Sequence, residues 1–142
     1  MEELERNKEV VRTAWRAFDA CDESAFAACF ANGWVERDAS GAVATLADAN
    51  ESMRRHRTAF PDKRTTIERI VAEGDLVVTY TTTAATHLGE YDGVAPTGRR
   101  VSFQEMLICR IAGGLIAESW QTVSGGIRDQ IAGTTARTGE RD

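Results

Sequence analysis

The hydrophobic pattern of this chain shifts from a mainly helical to an alternating period near Phe60, and that shift narrows the folds open to it. Before Phe60 apolar residues recur every three or four positions; after it they alternate every second position. Val11, Ala14, Trp15, Phe18 and Cys21 make one stripe, which predicts a first helix from about Asn7 to Cys21. Asp22 is placed to cap a short second helix carrying Phe26, Cys29 and Phe30, with Asn32-Gly33 as its stop. Trp34 to Asp38 reads as a short strand, followed by a loop through Ser40-Gly41. Thr45 caps a third helix whose stripe is Leu46, Ala49, Met53, His56 and Phe60. Pro61 ends it, because the residue before a proline avoids helical geometry.

The rest reads as strands. Thr65 to Ala72 comes first, Gly74-Asp75 turns, and Leu76 to His87 follows, rich in Thr and Val. Gly89 to Gly98 is a loop, Val101 to Ile111 a third strand, Gly113-Gly114 a hairpin turn and Leu115 to Val123 a fourth strand. Helices followed by a meander is the α+β pattern. The helical stripes must cover one face of the sheet. This predicts a cone-shaped, curved antiparallel sheet wrapped around N-terminal helices, with a pocket at the open end. At 142 residues the expectation is one domain over 1–142, with a core of about 7–131 and a flexible tail over 132–142.

Charge and composition remove several function classes. A formal net charge of -5 argues against a nucleic-acid partner, which needs a basic face to displace phosphate counterions. No apolar run approaches the roughly 20 residues that span a bilayer, so no membrane partner is expected. The acidic start Met1-Glu2-Glu3-Leu4-Glu5 is not followed by an apolar stretch and does not read as a secretory signal. Cys21, Cys29 and Cys109 form no Cys-x-x-Cys pair and the histidines lie far apart, so no zinc site is expected. As small buried hydrophobes the cysteines suit a reducing cytoplasm. No Gly-x-Ser-x-Gly elbow marks a serine hydrolase, and no strand-to-helix glycine loop marks a phosphate site.

Polar residues that interrupt apolar faces are the candidates for chemistry. Val101, Phe103, Leu107, Cys109 and Ile111 alternate onto one face, and Glu105 sits among them. A carboxylate there is costly to ionise, so its pKa rises into the range of a general acid or base. The alternatives are a bulge that turns Glu105 outward, or pairing with Arg99 or Arg110. Glu118 shares a face with Trp120, Thr122 and Ser124, and either reaches the cavity or holds a neighbouring strand. Asp38 closes the early strand on the face of Trp34 and Glu36, where it either acts on a ligand or starts the loop. His87, at a strand end, and His56, on the inner helical stripe, are proton-transfer candidates; a satisfied core role is the alternative for His56. Trp15, Trp34, Tyr80 and Trp120 serve as core or as pocket wall for a flat polycyclic or polyene ligand.

Several runs in order resemble one family. Phe60-Pro61-Asp62, Ile70-Val71-Ala72-Glu73-Gly74-Asp75, Thr86-His87-Leu88-Gly89-Glu90, Pro96-Thr97-Gly98-Arg99 and Gly114-Leu115-Ile116-Ala117-Glu118-Ser119-Trp120 are similar to SnoaL-like polyketide cyclases. These belong to the nuclear transport factor two-like superfamily. The resemblance covers about residues 7 to 131. It implies a cone-shaped α+β barrel, a homodimer, and chemistry independent of metals and cofactors. It also implies intramolecular aldol closure, in which a carboxylate takes an acidic proton between two carbonyls; relatives open epoxides, hydrate, isomerise or only bind. The family's catalytic aspartate lies four residues after the tryptophan of Glu-x-Trp, and here that position is Ser124. Where relatives often show His-Asp this chain has Arg37-Asp38, and its Thr-His-x-Gly-Glu motif, which contains His87, is intact.

Two functions follow as expectations. The first is a secondary-metabolism enzyme, of the kind used in antibiotic biosynthesis. Asp38 or Glu105 is its acid/base, His87 a proton partner or oxyanion donor, and Trp15, Trp34, His56, Tyr80, Glu118, Trp120 and Ser124 surround the substrate. The second is a protein that binds or sequesters a polyketide-like hydrophobic ligand unchanged. A dimeric scaffold with a closed interior is a third, weaker reading.

Overall fold

The computed structural model describes residues 2–133. Helix α1 spans Glu3–Ala20 and ends where Cys21 turns left-handed, with the Cys21 and Asp22 amides donating back to Phe18 and Ala17. Asp22 caps α2, Glu23–Ala27, by accepting from the Ala25 amide at 3.1 Å. Helix α3, Leu46–Ala59, opens on a capping box between Thr45 and Asp48 and stops before Pro61. The strands are β1 (Phe30–Arg37), β2 (Val43–Thr45), β3 (Arg64–Glu73), β4 (Leu76–Thr86), β5 (Arg100–Ala112) and β6 (Leu115–Ser124). A short helix α4, Ile127–Ala132, follows.

The six strands form one curved sheet in the order β2-β1-β6-β5-β4-β3. The meander from β3 to β6 is antiparallel throughout, as the alternation predicts. The α+β class and the helices-then-sheet order stand, with one correction: β1 joins the edge of β6 in parallel. Parallel neighbours need a long crossover, and here the rest of the chain between them supplies it.

Three further boundaries differ from the sequence reading. Asn32-Gly33 does not stop α2; the helix ends at Ala27, and both residues lie inside β1. There the register with β6 slips between Phe30 and Val35, and Gly33 takes φ +80, which a residue without Cβ adopts freely. Strand β2 has only three residues, too few for alternation to register. Helix α4 holds one fully buried residue, Ile131, and so shows no stripe in the sequence. The expected tail lies, from residue 134 onward, outside the described residues.

The core has two parts. Val11, Ala14 and Ala17 of α1 pack with Phe26, Trp34, Met53, Val77 and Ile116 across the concave face of the sheet. A smaller cluster of Ala59, Phe60, Ala85, Val101 and Ile131 ties α3 and α4 to the ends of β4 and β5. Each large apolar side chain buried in this way contributes about 1.5–3 kcal/mol. Between the clusters, helices and sheet stand apart far enough to leave space.

Candidate functional site

A cavity of about 360 Å³ lies between the concave sheet face and helices α1 and α3. That volume falls within the roughly 300–1,000 Å³ of small-molecule sites. Its walls are aromatic: Trp15 and Phe18 from α1, Phe26 from α2, Phe30 and Trp34 from β1, and Phe103 from β5. The indole N–H groups are already used, Trp15 donating to Thr79 Oγ1 at 3.2 Å and Trp34 to Ser119 Oγ at 3.0 Å. What these tryptophans offer a ligand is ring surface.

Six titratable side chains line the cavity, Glu36, Asp48, His56, Lys63, Glu105 and Cys109, and all but the buried Cys109 thiol interrupt its apolar surface. Glu105 occupies the inward parity of β5 between Phe103 and Leu107, as the alternation predicts. Burial pushes its carboxyl up to about 8, Glu36 adds to the push, and Lys63 opposes it. Glu36 faces the same space from β1; burial raises it to about 7, with the Asp38 charge adding. At neutral pH Glu105 is therefore mostly protonated while Glu36 is divided between its two forms. Two carboxyls poised in this way supply an acid and a base in one chamber.

His56 also lines the cavity. Its ring stands edge-on to Phe18 and Phe60, at 6.3 and 6.0 Å between centroids, and its buried Nδ1 has no hydrogen-bond partner. Burial, helped by the Lys63 and Arg55 cations, lowers its pKa to about 4, so the imidazole is neutral at pH 7. Lys63 is the surprise of the site. Its side chain is 8% exposed, its ammonium lies 3.1 Å from Asp19 Oδ1, and it sits 4.3 Å from the centre of the Phe18 ring. Burial lowers its pKa and Asp19 opposes that.

Four sequence candidates belong to the outer face instead. The β5–β6 register shifts between Arg110 and Ile111, so that Ile111 opposes Ile116 while Arg110 opposes Glu118. Ala117 is the extra residue. A one-residue slip exchanges the faces of everything after it, so Ser119, Gln121 and Val123 line the cavity while Glu118, Trp120 and Ser124 point away. Glu118 ties Arg37 at 2.6 Å and Arg110 at 3.2 Å, a cross-strand structural role. Exposed Ser124 donates to Gln104 Oε1 at 3.4 Å. Tyr80 lies on the outward parity of β4 and is 37% exposed.

Two more candidates lie off the cavity for local reasons. Asp38 follows the last residue of β1 and turns onto its own loop, where Oδ1 accepts from the Ser40 amide at 2.9 Å, the Ser40 hydroxyl at 2.6 Å and the Ala42 amide at 3.0 Å. Those donors, the Ser40 hydroxyl first, hold its carboxyl below the ordinary range, which suits a loop anchor and not a base. His87 is fully buried in the second cluster against Phe60. Its Nδ1 accepts the Thr97 amide at 3.2 Å and lies 2.9 Å from Thr97 Oγ1, while Nε2 is buried without a partner. It pins the 89–98 loop to β4. Of the candidates, the structure brings Glu105, Trp15, Trp34 and His56 to one cavity.

A family model described as SnoaL-like polyketide cyclase matches residues 8–124. The chain belongs to this family. Among solved structures, AclR of Streptomyces galilaeus, described as a proposed hydroxylase, superposes with a TM-score of 0.85 at 25% identity, covering 96% of this chain and 91% of that one. IdmH of Streptomyces antibioticus, described as a proposed polyketide cyclase, gives 0.75 at 24% identity, covering 89% and 96%. An LEH-like epoxide hydrolase of M. tuberculosis gives 0.68 at 18% identity, covering 93% and 91%, a likeness of fold. A search of curated proteins gave no match.

Within this SnoaL-like chain three titratable residues of the site escaped the sequence reading, one of them Asp48, whose carboxylate is held in the capping box of α3. Glu36 was legible, since it shares the parity of Trp34, but Asp38 beside it drew the assignment. Lys63 gave no signal, because a lysine after Pro61-Asp62 looks like an ordinary solvated turn residue. Among the described residues no group of three or more His, Cys, Asp or Glu side chains could hold a metal ion, and no helix is long and apolar enough to cross a membrane.

Proposed function

We propose that this SnoaL-like protein is a cyclase-type acid–base catalyst for a polyketide-like apolar small molecule, with Glu36 as base and Glu105 as acid. The observation that carries this reading is the pair of raised carboxyls in one aromatic-walled cavity. Ionised Glu36 takes an acidic proton from carbon between two carbonyls, and the enolate attacks a carbonyl elsewhere in the same molecule. Protonated Glu105 gives its proton to the alkoxide so formed, leaving a ring alcohol and the two carboxyls with one proton between them as before. An epoxide opens by the same division of labour: the acid protonates the departing oxygen as a nucleophile attacks carbon. Steps of this kind contribute typically 10²–10⁴-fold per catalytic group. Asp38 and His87 keep structural roles in this reading, and these steps use no cofactor.

The test needs no knowledge of the natural substrate. A cyclic 1,3-diketone in D₂O exchanges its central C–H, and NMR follows the loss. The protein is expected to accelerate exchange over buffer, and Glu36→Gln to remove at least about a hundredfold of that acceleration. Acceleration that survives in both Glu36→Gln and Glu105→Gln contradicts the assignment. The rival reading, a binding or sequestering protein, draws on Ser124: the family's usual aspartate position holds an exposed hydroxyl. Tight binding of a polyketide released unchanged favours it.

The homodimer that the resemblance implies has a suitable surface on the outer sheet face. Trp120, Ile108, Val78 and Val71 stand in register across β6, β5, β4 and β3, and Thr122, Met106 and Tyr80 form the next row. Val71, Met106 and Tyr80 are exposed there and Trp120, Ile108 and Val78 half-buried, and contiguous apolar surface of this kind marks association sites. We place a second copy of the chain there. The three free cysteines support a cytoplasmic setting, and we assign residues 1–142 to one domain.

A further inference from the structure

We propose that Lys63 is the cationic pole of the cavity: its ammonium binds the ligand oxygen on which negative charge develops, so the ligand class is one that presents a ketone or 1,3-dicarbonyl oxygen to it. This rests on the acid–base reading above and adds what that reading lacks, a group that stabilises the enolate.

Placement comes first. Phe60-Pro61 ends α3, and the short turn after it brings Lys63 in from the foot of β3 to line the same cavity as Glu105 and His56. Among the described lining residues it is the only lysine or arginine. Its charge reaches both titratable neighbours, opposing the upward push on Glu105 and depressing His56.

The support beneath the ammonium is specific. Asp19 Oδ2 accepts the Thr65 amide at 2.7 Å and Oδ1 the Thr65 hydroxyl at 2.8 Å, so the carboxylate that holds Lys63 is itself held. Thr65 Oγ1 lies 3.1 Å from Thr83 Oγ1, extending the network along the wall. Burial works against the charged ammonium, and Asp19 beside it opposes that loss. An ammonium has three N–H donors. Asp19 takes one, and the Phe18 ring covers another side at 4.3 Å. Among the described residues no second acceptor meets it, which leaves a donor for a ligand oxygen.

The reaction uses that donor at a defined moment. As Glu36 removes the proton, the C–H electron pair becomes the new C=C bond and the carbonyl π pair moves onto oxygen. The oxygen acquires its charge facing the ammonium in an aromatic-walled cavity, where such an interaction is stronger than in open water. Lys63 gives up no proton. When the enolate attacks, the charge passes to the new alkoxide, which Glu105 protonates.

The test reads anion stabilisation without turnover. 4-Nitrophenol serves as the probe, because its neutral and anionic forms absorb differently. Its titration is followed while bound to the wild-type protein, Lys63→Met and Lys63→Arg. The expected result is an apparent pKa of the bound probe at least about one unit higher in Lys63→Met than in wild type, a tenfold loss of anion preference. Lys63→Arg should keep most of the wild-type value. If Lys63→Met does not fold, because Asp19 is left buried and alone, the double variant Asp19→Asn/Lys63→Met removes both charges and is expected to show the same rise. An unchanged bound-probe pKa in the variant that folds overturns the proposal, as does a wild-type protein that does not bind the probe at millimolar concentration. Lost diketone exchange with an intact Lys63 effect refutes the acid–base reading alone; retained exchange with no Lys63 effect refutes this one alone.

Discussion

Glu36 on β1 and Glu105 on β5 stand on opposite sides of β6 and face the same cavity, each carboxyl raised chiefly by its own burial. The fold explains how they meet. Phe30, Trp34 and Glu36 fall on one parity of β1, Phe103 and Glu105 on one parity of β5, and the curvature of the sheet turns both sets inward. Apolar walls supply the desolvation, and the charge of Glu36 adds to the push on Glu105.

Stability should therefore fall as pH rises through the neutral range. In the unfolded chain a glutamate titrates near 4.5, while folded Glu105 titrates at about 8. Below 4.5 both states hold the proton and the contribution is complete; between the two values only the folded state holds it, and stability is lost as pH rises through the folded pKa. Glu105→Gln keeps the shape and removes the titration. Thermal melts should show Glu105→Gln more stable than wild type at pH 9, by on the order of 1–3 kcal/mol, and nearly level with it at pH 5. His56 acts in the other direction: its value of about 4 lies below the ordinary 6.5, so its contribution disappears as pH falls below that window.

Asp38 and Glu36 should separate cleanly in activity. Glu36→Gln should cost diketone exchange about 10²-fold or more, whereas Asp38→Asn, which loosens the loop at Ser40 and Ala42 and removes only the lesser of the two pushes on Glu36, should stay within about threefold. His87→Ala should lower the melting temperature, since it empties a fully buried site against Phe60 and frees Thr97, with little effect on exchange per folded molecule. Exchange rates normalised to folded protein decide both.

The antiparallel meander, the capped helices and the inward face of Glu105 were legible because each depends on local periodicity. Glu118, Trp120 and Ser124 were not, because alternation assumes an unbroken register and the bulge at Ala117 inverts it. No local signal announces a bulge in Leu115-Ile116-Ala117-Glu118. The parallel docking of β1 on β6 was hidden for a related reason: pairing of strands far apart in sequence is decided by the packed fold. Lys63 escaped because its burial depends on Asp19, forty-four residues earlier on α1, and on the ring of Phe18.

Gly89 is predicted to accept no side chain. A Cβ there would stand 2.0 Å from the Thr58 carbonyl oxygen, where the Leu88 and Gly89 amides both donate to Ala59 at 2.9 and 3.0 Å. Gly89→Ala must push the end of α3 away from the end of β4, at a cost of roughly 1–3 kcal/mol or more. Denaturant unfolding measures it.

Association should depend on the outer sheet face. Met106 is 49% exposed and Val71 60%, and neither touches the cavity. Met106→Glu/Val71→Glu should leave the fold intact and convert a dimer to a monomer by light scattering. A wild-type protein that is monomeric at the same concentrations contradicts the assignment of that face.

The most direct measurement is a carboxyl ¹³C NMR titration of glutamate-labelled protein from pH 4 to 10. Two resonances should titrate near neutrality or above, one disappearing in Glu36→Gln and the other in Glu105→Gln. If every glutamate in the folded protein instead titrates below about pH 5.5, neither side chain is held protonated at neutral pH and the catalytic account fails.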